Sequence, residues 1–353
     1  MRELFLNLVR LGIGQTGEAI PYVVDWENLK IIAEQQGLSA IVLDGIERMQ
    51  SDCNIPLDFK LQWIGEVLQG ENVFAEQQKA AEKMAELFYQ NKIQTYVLKG
   101  AVVSECYPKP THRVSVDMDC YLRPEAGDFD AWRLGNDLIK ETGFEVNLEH
   151  YKNSTFYLPE LTVENHQFLT PFRGNKRMER LERKLQKMLQ EDKGEDRFED
   201  TWLYRPPVMA TAIFLIEHAY THFLHEGLTW RHVLDWMMFS RKHKDEIDWM
   251  QLDARIDEYG FRKFYDSYSR LGHYLIGEFQ ASSLTFQDKR MLEDVWDDLD
   301  LHETVRGVRG KLALAGNTWR ARWKYSQFTD MSMLHVLWIQ VKGFLFMKNP
   351  KLN

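Results

Sequence analysis

Residues 97–122 read VLKGAVVSECYPKPTHRVSVDMDCYL and set Asp117 and Asp119 two positions apart inside an apolar, strand-forming run. Side chains alternate along a strand, so Asp117, Asp119 and Tyr121 share one face. Val116, Met118 and Cys120 share the other, which faces a core. The two carboxylates then stand about 6–7 Å apart, and at an effective dielectric near 20 they repel by roughly 2–3 kcal/mol. Protonation of one acid, screening by water, or a cation between them relieves that cost. A third acid fits the same logic. In LTVENHQFL, Glu164 shares a face with Thr162 and His166, and it joins the pair if its strand lies beside the aspartate strand. Hard oxygen ligands of this kind suit Mg²⁺ or Mn²⁺ rather than zinc. Two such ions can activate a hydroxyl and stabilise a departing pyrophosphate. An isolated Asp-x-Asp is weak evidence, because exposed edges and helix caps carry most of them. Here Lys99-Gly100 closes an upstream strand. Glycine at such a turn lets backbone amides approach phosphate oxygens, and Lys99 can add a point charge to them.

These residues need a frame. Residues 1–92 read as helical. The first twenty carry apolar residues at helical spacing without a small-residue cleavage site, which predicts an amphipathic helix and not a signal peptide. An Asp25-capped helix closing near Gly37 follows, then helices over 39–50 and 59–92. From about residue 93 the pattern changes. Strands are predicted at 93–100, 115–123, 144–151, 154–159 and 161–169, with a helix over 128–143 ended by Gly143. After Pro171 the chain reads as helix to residue 353. The expected fold class is α+β: a small mixed β-sheet core at 93–172, with helical regions at 1–92 and 173–353.

The 353 residues, 44% hydrophobic and 27% charged, are enough for two or three packed units. The net charge of −9 argues against long nucleic acid as a partner. Three cysteines, Cys53, Cys106 and Cys120, without metal spacing, point to a reducing, cytoplasmic setting and no disulfide framework. The apolar stretch at 333–347 is short for a membrane span and is interrupted by His335, Gln340, Lys342 and Gly343. It predicts a buried or surface-lying helix and no membrane span.

The segment LKGAVVSECYPKPTHRVSVDMDCYL resembles the signature of the uncharacterised bacterial nucleotidyltransferase family, within the polymerase-β-like nucleotidyltransferase superfamily. The resemblance lies in Leu98, Lys99 and Gly100, in Tyr107 and Pro108, and in Arg113 four residues before Asp117 and Asp119. It continues in Glu164 followed by His166, and in a helical segment with His218, His222, Gly227, Arg231 and Asp235. It implies a metal-dependent transfer of a nucleoside monophosphate from a nucleoside triphosphate to an acceptor hydroxyl, with release of pyrophosphate. Asp117, Asp119 and Glu164 would hold Mg²⁺ or Mn²⁺, and Lys99, Gly100 and Arg113 would bind phosphate. His166, His218, His222, Arg231 and Asp235 would stand behind them. The acceptor, a small molecule or a protein, is not encoded in any motif. Ala101 and Val116 depart from the superfamily's usual turn and pre-aspartate residues. The alternative is therefore an inactive nucleotide-binding or protein-interaction module on the same fold.

Read from spacing alone, His218, His222 and His225 share a helix face. They pack a helix seam or hold zinc. Arg231 and Asp235, one turn apart between Trp230 and Trp236, suit a structural clamp. Arg173, Lys176, Arg177, Arg180 and Arg183 line a basic helix whose apolar stripe is Met178, Leu181, Leu185 and Met188, and a solvated face is its expected role.

Overall fold

The computed structural model describes residues 1–17, 23–49, 54–172, 175–225, 227–297, 321–330 and Trp338. Packing divides these into two compact units. The first comprises 1–169, 185–211 and 275–277. The second comprises 170–184, 212–274 and residues from 278 onward. Cys53, Arg173 and nearly all of the 333–347 stretch lie outside the described residues. No described helix is long and apolar enough to cross a membrane.

The first unit opens with four helices: α1 (Arg2–Gly12), α2 (Trp26–Gln35), α3 (Ser39–Glu47) and α4 (Leu57–Gln90). The cap expected for α2 is present, with Asp25 accepting from the backbone N–H of Asn28 at 3.1 Å. Helices α1 and α3 meet through glycine. A methyl group at Gly12 would overlap the carbonyl of Ile41, and one at Gly45 would overlap the carbonyl of Leu8. The backbones are too close for any side chain there. Gly45→Ala is expected to destabilise the unit by about 1–3 kcal/mol, the usual cost of overpacking. A urea melt checks this; an unchanged midpoint would mean that the helix pair yields.

Asp44, on α3, is the fixed point of a second contact. Its carboxylate accepts from Lys109 at 2.5 Å and from His112 at 2.7 Å, while His112 reaches Glu71 of α4 with its other nitrogen at 3.0 Å. Burial alone would raise the Asp44 carboxyl, but the hydrogen bonds from His112 and Lys109 outweigh it and hold the group below its usual 3.8. The folded value lies under the unfolded one. The stabilisation is therefore complete above about pH 4 and drains away as pH falls through the folded value. Urea midpoints taken from pH 7 to pH 3 should show an acid-side loss that is smaller in Asp44→Asn. Parallel profiles for the two proteins would contradict this assignment.

The sheet has six strands in the order β3-β4-β5-β2-β1-β6. They are β1 (Ile93–Val97), β2 (Asp117–Pro124), β3 (Val146–Asn147), β4 (Asn153–Leu158), β5 (Leu161–His166) and β6 (Leu203–Tyr204). Short helices α5 (Ala101–Ser104) and α6 (Ala131–Glu141) lie between them in sequence. The sheet is mixed. β2 runs antiparallel to β1 and parallel to β5, and β1 runs parallel to β6. One face carries Val97, Met118, Cys120, Leu122, Val163 and Phe156, all buried. Helix α6 sits against it, as close contact at Gly135 requires: a methyl there would strike Leu122. At the β1–β2 end, Arg123 is buried and donates to Gln94 and to the carbonyls of Leu189 (2.7 Å) and Asp192 (2.6 Å). That anchors the chain leading into β6.

Four expectations need correction. Val116 is not a core residue. It is 73% exposed and precedes the strand, because the Ser115 hydroxyl donates to the Asp117 carbonyl at 2.9 Å and bends the chain there. The strand predicted at 144–151 shrinks to two residues, since Asn147 accepts from the N–H of Glu149 in an Asx turn that ends it. The chain after Pro171 does not stay helical. Leu203 and Tyr204 add a sixth strand beside Thr95 and Tyr96, and a two-residue strand has no alternation to read. Asp119, on the non-core face of β2, is itself buried.

The remaining described helices are α7 (Lys176–Gln190), α8 (Val208–His225), α9 (Trp230–Lys242), α10 (Trp249–Tyr259), α11 (Arg262–Leu275), α12 (Phe286–Asp297) and α13 (Arg322–Phe328). The core of the second unit is aromatic. Phe223 meets Phe264 at 5.4 Å between ring centres, and Phe264 stacks on Tyr268 at 5.0 Å. On α7, Met178, Leu181 and Leu185 are buried while Arg177, Arg180 and Arg183 are exposed, the solvated face expected of it.

Candidate active site

The strand pairing decides where the acids go. In the parallel β2–β5 ladder, Asp117 lies opposite Thr162, Asp119 opposite Glu164, and Tyr121 opposite His166. Residues directly opposite in register put their side chains on one face. Asp119, Glu164 and His166 consequently offer three ligand atoms that all lie within 4.8 Å of one another. Asp117 is half-buried, one alternation earlier on the same face. Thr155 of β4 pairs with Glu164 from the other side.

Asp119 is 2% exposed, and such a charge survives only if matched. Lys99 brings its ammonium to 3.0 Å from Oδ2, and Nε2 of His166 lies 2.8 Å from Oδ1. Oδ2 makes no hydrogen bond of good geometry, so the Lys99 contact is mainly charge on charge. Burial alone would raise the Asp119 carboxyl, but Lys99 and His166 prevail and hold it far below the carboxylate range. Glu164 is also held low, first by the His166 imidazole beside it, against burial and the Asp119 charge. Burial and Lys152 push His166 down, yet its carboxylate neighbours win and raise it. Geometry gives the same answer. Nδ1 of His166 lies 3.2 Å from the Phe168 carbonyl oxygen and Nε2 faces Asp119. Both partners accept, an arrangement that favours a proton on each ring nitrogen, in keeping with the raised His166.

Gly100 has φ +67° and ψ −107°, a conformation that an L-residue adopts only under strain. It turns the chain from β1 into α5. That helix has four residues, so the turn offers a phosphate its backbone N–H groups rather than a macrodipole. The position a Gly100 Cβ would take is 3.3 Å from the Ser115 hydroxyl. Ser115 thus brings to the turn, from the β2 side, an oxygen that Ala101 lacks. A cleft of about 240 Å³ opens here, lined by Phe74, Gln77, Lys99, Gly100, Ser115 and Asp117. A larger one, about 1220 Å³, lies at the other end of β2 around Gln94, Arg123 and Trp202. The smaller cleft reaches the turn, Lys99 and Asp117, but Asp119 and Glu164 do not line it.

A family model described as an uncharacterised nucleotidyltransferase matches residues 23–277, most of the chain. The chain belongs to this nucleotidyltransferase family. The match spans both blocks that carry the resemblance, 98–122 and 218–235. Comparison with curated proteins and with solved structures returns no match.

Within the family match, the other singled-out residues fall as follows. Arg113 is 3% exposed, close under the surface beside Thr111 and Ser115. His218 and His222 belong to the second unit, where they cluster with His232. His225 is exposed and lies 3.2 Å from the Tyr325 hydroxyl. Arg231 is half-buried and Asp235 buried on α9. Sequence reasoning missed Ser115, Lys152 and His232. Ser115 had a readable signal, a hydroxyl two residues before Asp117. Lys152 and His232 become neighbours only through tertiary pairing.

Proposed function

We propose that the chain transfers a nucleoside monophosphate from a nucleoside triphosphate to an acceptor hydroxyl and releases pyrophosphate. The observation that carries this reading is the in-register pairing of Asp119 with Glu164 on parallel strands beside the Gly100 turn. The donor set fits a hard divalent cation. Carboxylate oxygens of Asp119 and Glu164 lie within 4.8 Å of each other and of a His166 nitrogen, one Asp119 oxygen is buried without a hydrogen bond, and Asp117 stands one alternation earlier on the same face. Asp117, Asp119 and Glu164 would hold Mg²⁺ or Mn²⁺. Such an ion supplies charge for the triphosphate and lowers the cost of ionising the acceptor hydroxyl.

The chain's own residues do the rest. The N–H groups at the Gly100 turn hold phosphate oxygens, and Arg113 adds positive charge from below the surface. Lys99, 3.0 Å from Asp119 in the metal-free protein, would be the cation available to phosphate oxygens if Asp119 held a metal ion. His166 keeps Asp119 and Glu164 in place from behind. Catalysis comes from position and charge. The polymerase-β-like arrangement, a core at 93–172 and a cytoplasmic setting belong to the same reading. The acceptor is a small molecule or a protein.

One observation favours a second reading, an inactive nucleotide-binding or protein-interaction module: Lys99 and His166 already neutralise Asp119. Screening the four nucleoside triphosphates with Mg²⁺ and Mn²⁺, reading thermal shift and pyrophosphate together, separates the two. A shift with pyrophosphate supports transfer, a shift without it supports the module, and neither signal contradicts both.

A further inference from the structure

In the second unit, His218 and His222 stand one turn apart on α8, and His232 lies at the third position of α9. Ring centres are 4.4 Å apart for His218–His222, 4.6 Å for His222–His232 and 6.0 Å for His218–His232. One nitrogen of each lies within 4.8 Å of the other two, and all three residues are half-buried, within reach of solvent. We propose that His218, His222 and His232 form a site for a borderline transition-metal ion, Zn²⁺ above all, distinct in chemistry from the carboxylate group on the sheet.

Three imidazoles about 2 Å from one ion sit about 3.3–3.4 Å apart in tetrahedral geometry, so small side-chain rotations close the cluster to bonding distance. Imidazole suits zinc, copper and nickel, whereas Mg²⁺ takes oxygen ligands. The i, i+4 pair fixes two ligands on one rigid face. The third is held by its own helix start. The Thr229 hydroxyl lies 2.9 Å and its backbone nitrogen 3.2 Å from Nδ1 of His232, and the Tyr268 hydroxyl donates to the His232 carbonyl at 2.5 Å. In the metal-free protein Nδ1 accepts from the Thr229 N–H, which puts the neutral ring's proton on Nε2; a metal at Nε2 would move that proton to Nδ1, where the Thr229 hydroxyl oxygen at 2.9 Å accepts it, the arrangement metal-binding histidines use. Three protein ligands leave a fourth position for water or a ligand oxygen, the pattern of an open zinc site.

The test uses the full chain stripped with chelator and then titrated with Zn²⁺ or Co²⁺. One equivalent of Co²⁺ should give the intense visible bands of a tetrahedral site, and Zn²⁺ should displace it. His222→Ala and His232→Ala should each weaken binding about 100-fold, and His222→Gln guards against a folding defect in the alanine variant. Glu164→Gln should leave the Co²⁺ spectrum untouched, which keeps this result independent of the proposed transfer reaction. Absence of tetrahedral bands, or the same spectrum and affinity in folded His222→Gln and His232→Ala proteins, would overturn the site.

Discussion

Asp119→Ala should lower the unfolding free energy by about 3–5 kcal/mol, the cost of removing one partner from a buried ion pair. The substitution leaves the buried His166 ring without its main acceptor, which drives it toward the neutral form, and leaves the Lys99 ammonium without the carboxylate it faced. The burial of Asp119 and its two cationic partners set that cost. Denaturant melts of Asp119→Ala, His166→Phe and the double variant measure it. The double variant should be less destabilised than the two single losses summed, because the loss of both charges removes the unpaired one. Strict additivity would show that the pair does not stabilise the fold.

The largest effect on activity is expected at Asp117 and Glu164. Asp117→Asn and Glu164→Gln preserve shape and remove one charge each from residues that are half-buried rather than buried. They should melt close to the parent protein yet lose transfer by at least about 10²–10³-fold, the scale on which single charge-stabilising groups act. Transfer of an α-labelled nucleotide reads the loss, and melts taken alongside separate it from unfolding. Full turnover in both variants would remove the acids from the chemistry. A loss confined to Asp119 variants would point to folding instead. The contrast between Asp119 and its neighbours is therefore itself informative: one acid is costly to the fold, the other two to the reaction.

Much of the site was legible because strand alternation is a strict rule. Asp117 and Asp119 had to share a face, and Glu164 and His166 had to share one on their own strand. What alternation cannot supply is register between strands. Asp119 meets Glu164 because β2 and β5 run parallel with no offset, and nothing local encodes that. The same gap hid the burial of Asp119. A strand pattern shows which residues share a face, not whether something covers it. The N-terminal helices were readable from caps and spacing, as Asp25 shows. The strand ends were not, because Ser115 and Asn147 end regular pairing through side-chain hydrogen bonds that compete with the ladder. β6 was invisible for another reason: two residues held in place by the buried Arg123 network carry no periodic signal. His232 was overlooked beside His218 and His222 because the helix face was counted along one helix only.

The most direct measurement is a Mn²⁺ titration of the full chain followed by electron paramagnetic resonance, with nucleoside triphosphate present and in a His222→Ala background to silence the histidine cluster. The carboxylate arrangement predicts saturable Mn²⁺ uptake that depends on nucleotide and weakens at least tenfold in Glu164→Gln. Uptake that ignores Glu164→Gln, or no uptake with any of the four triphosphates, would contradict it.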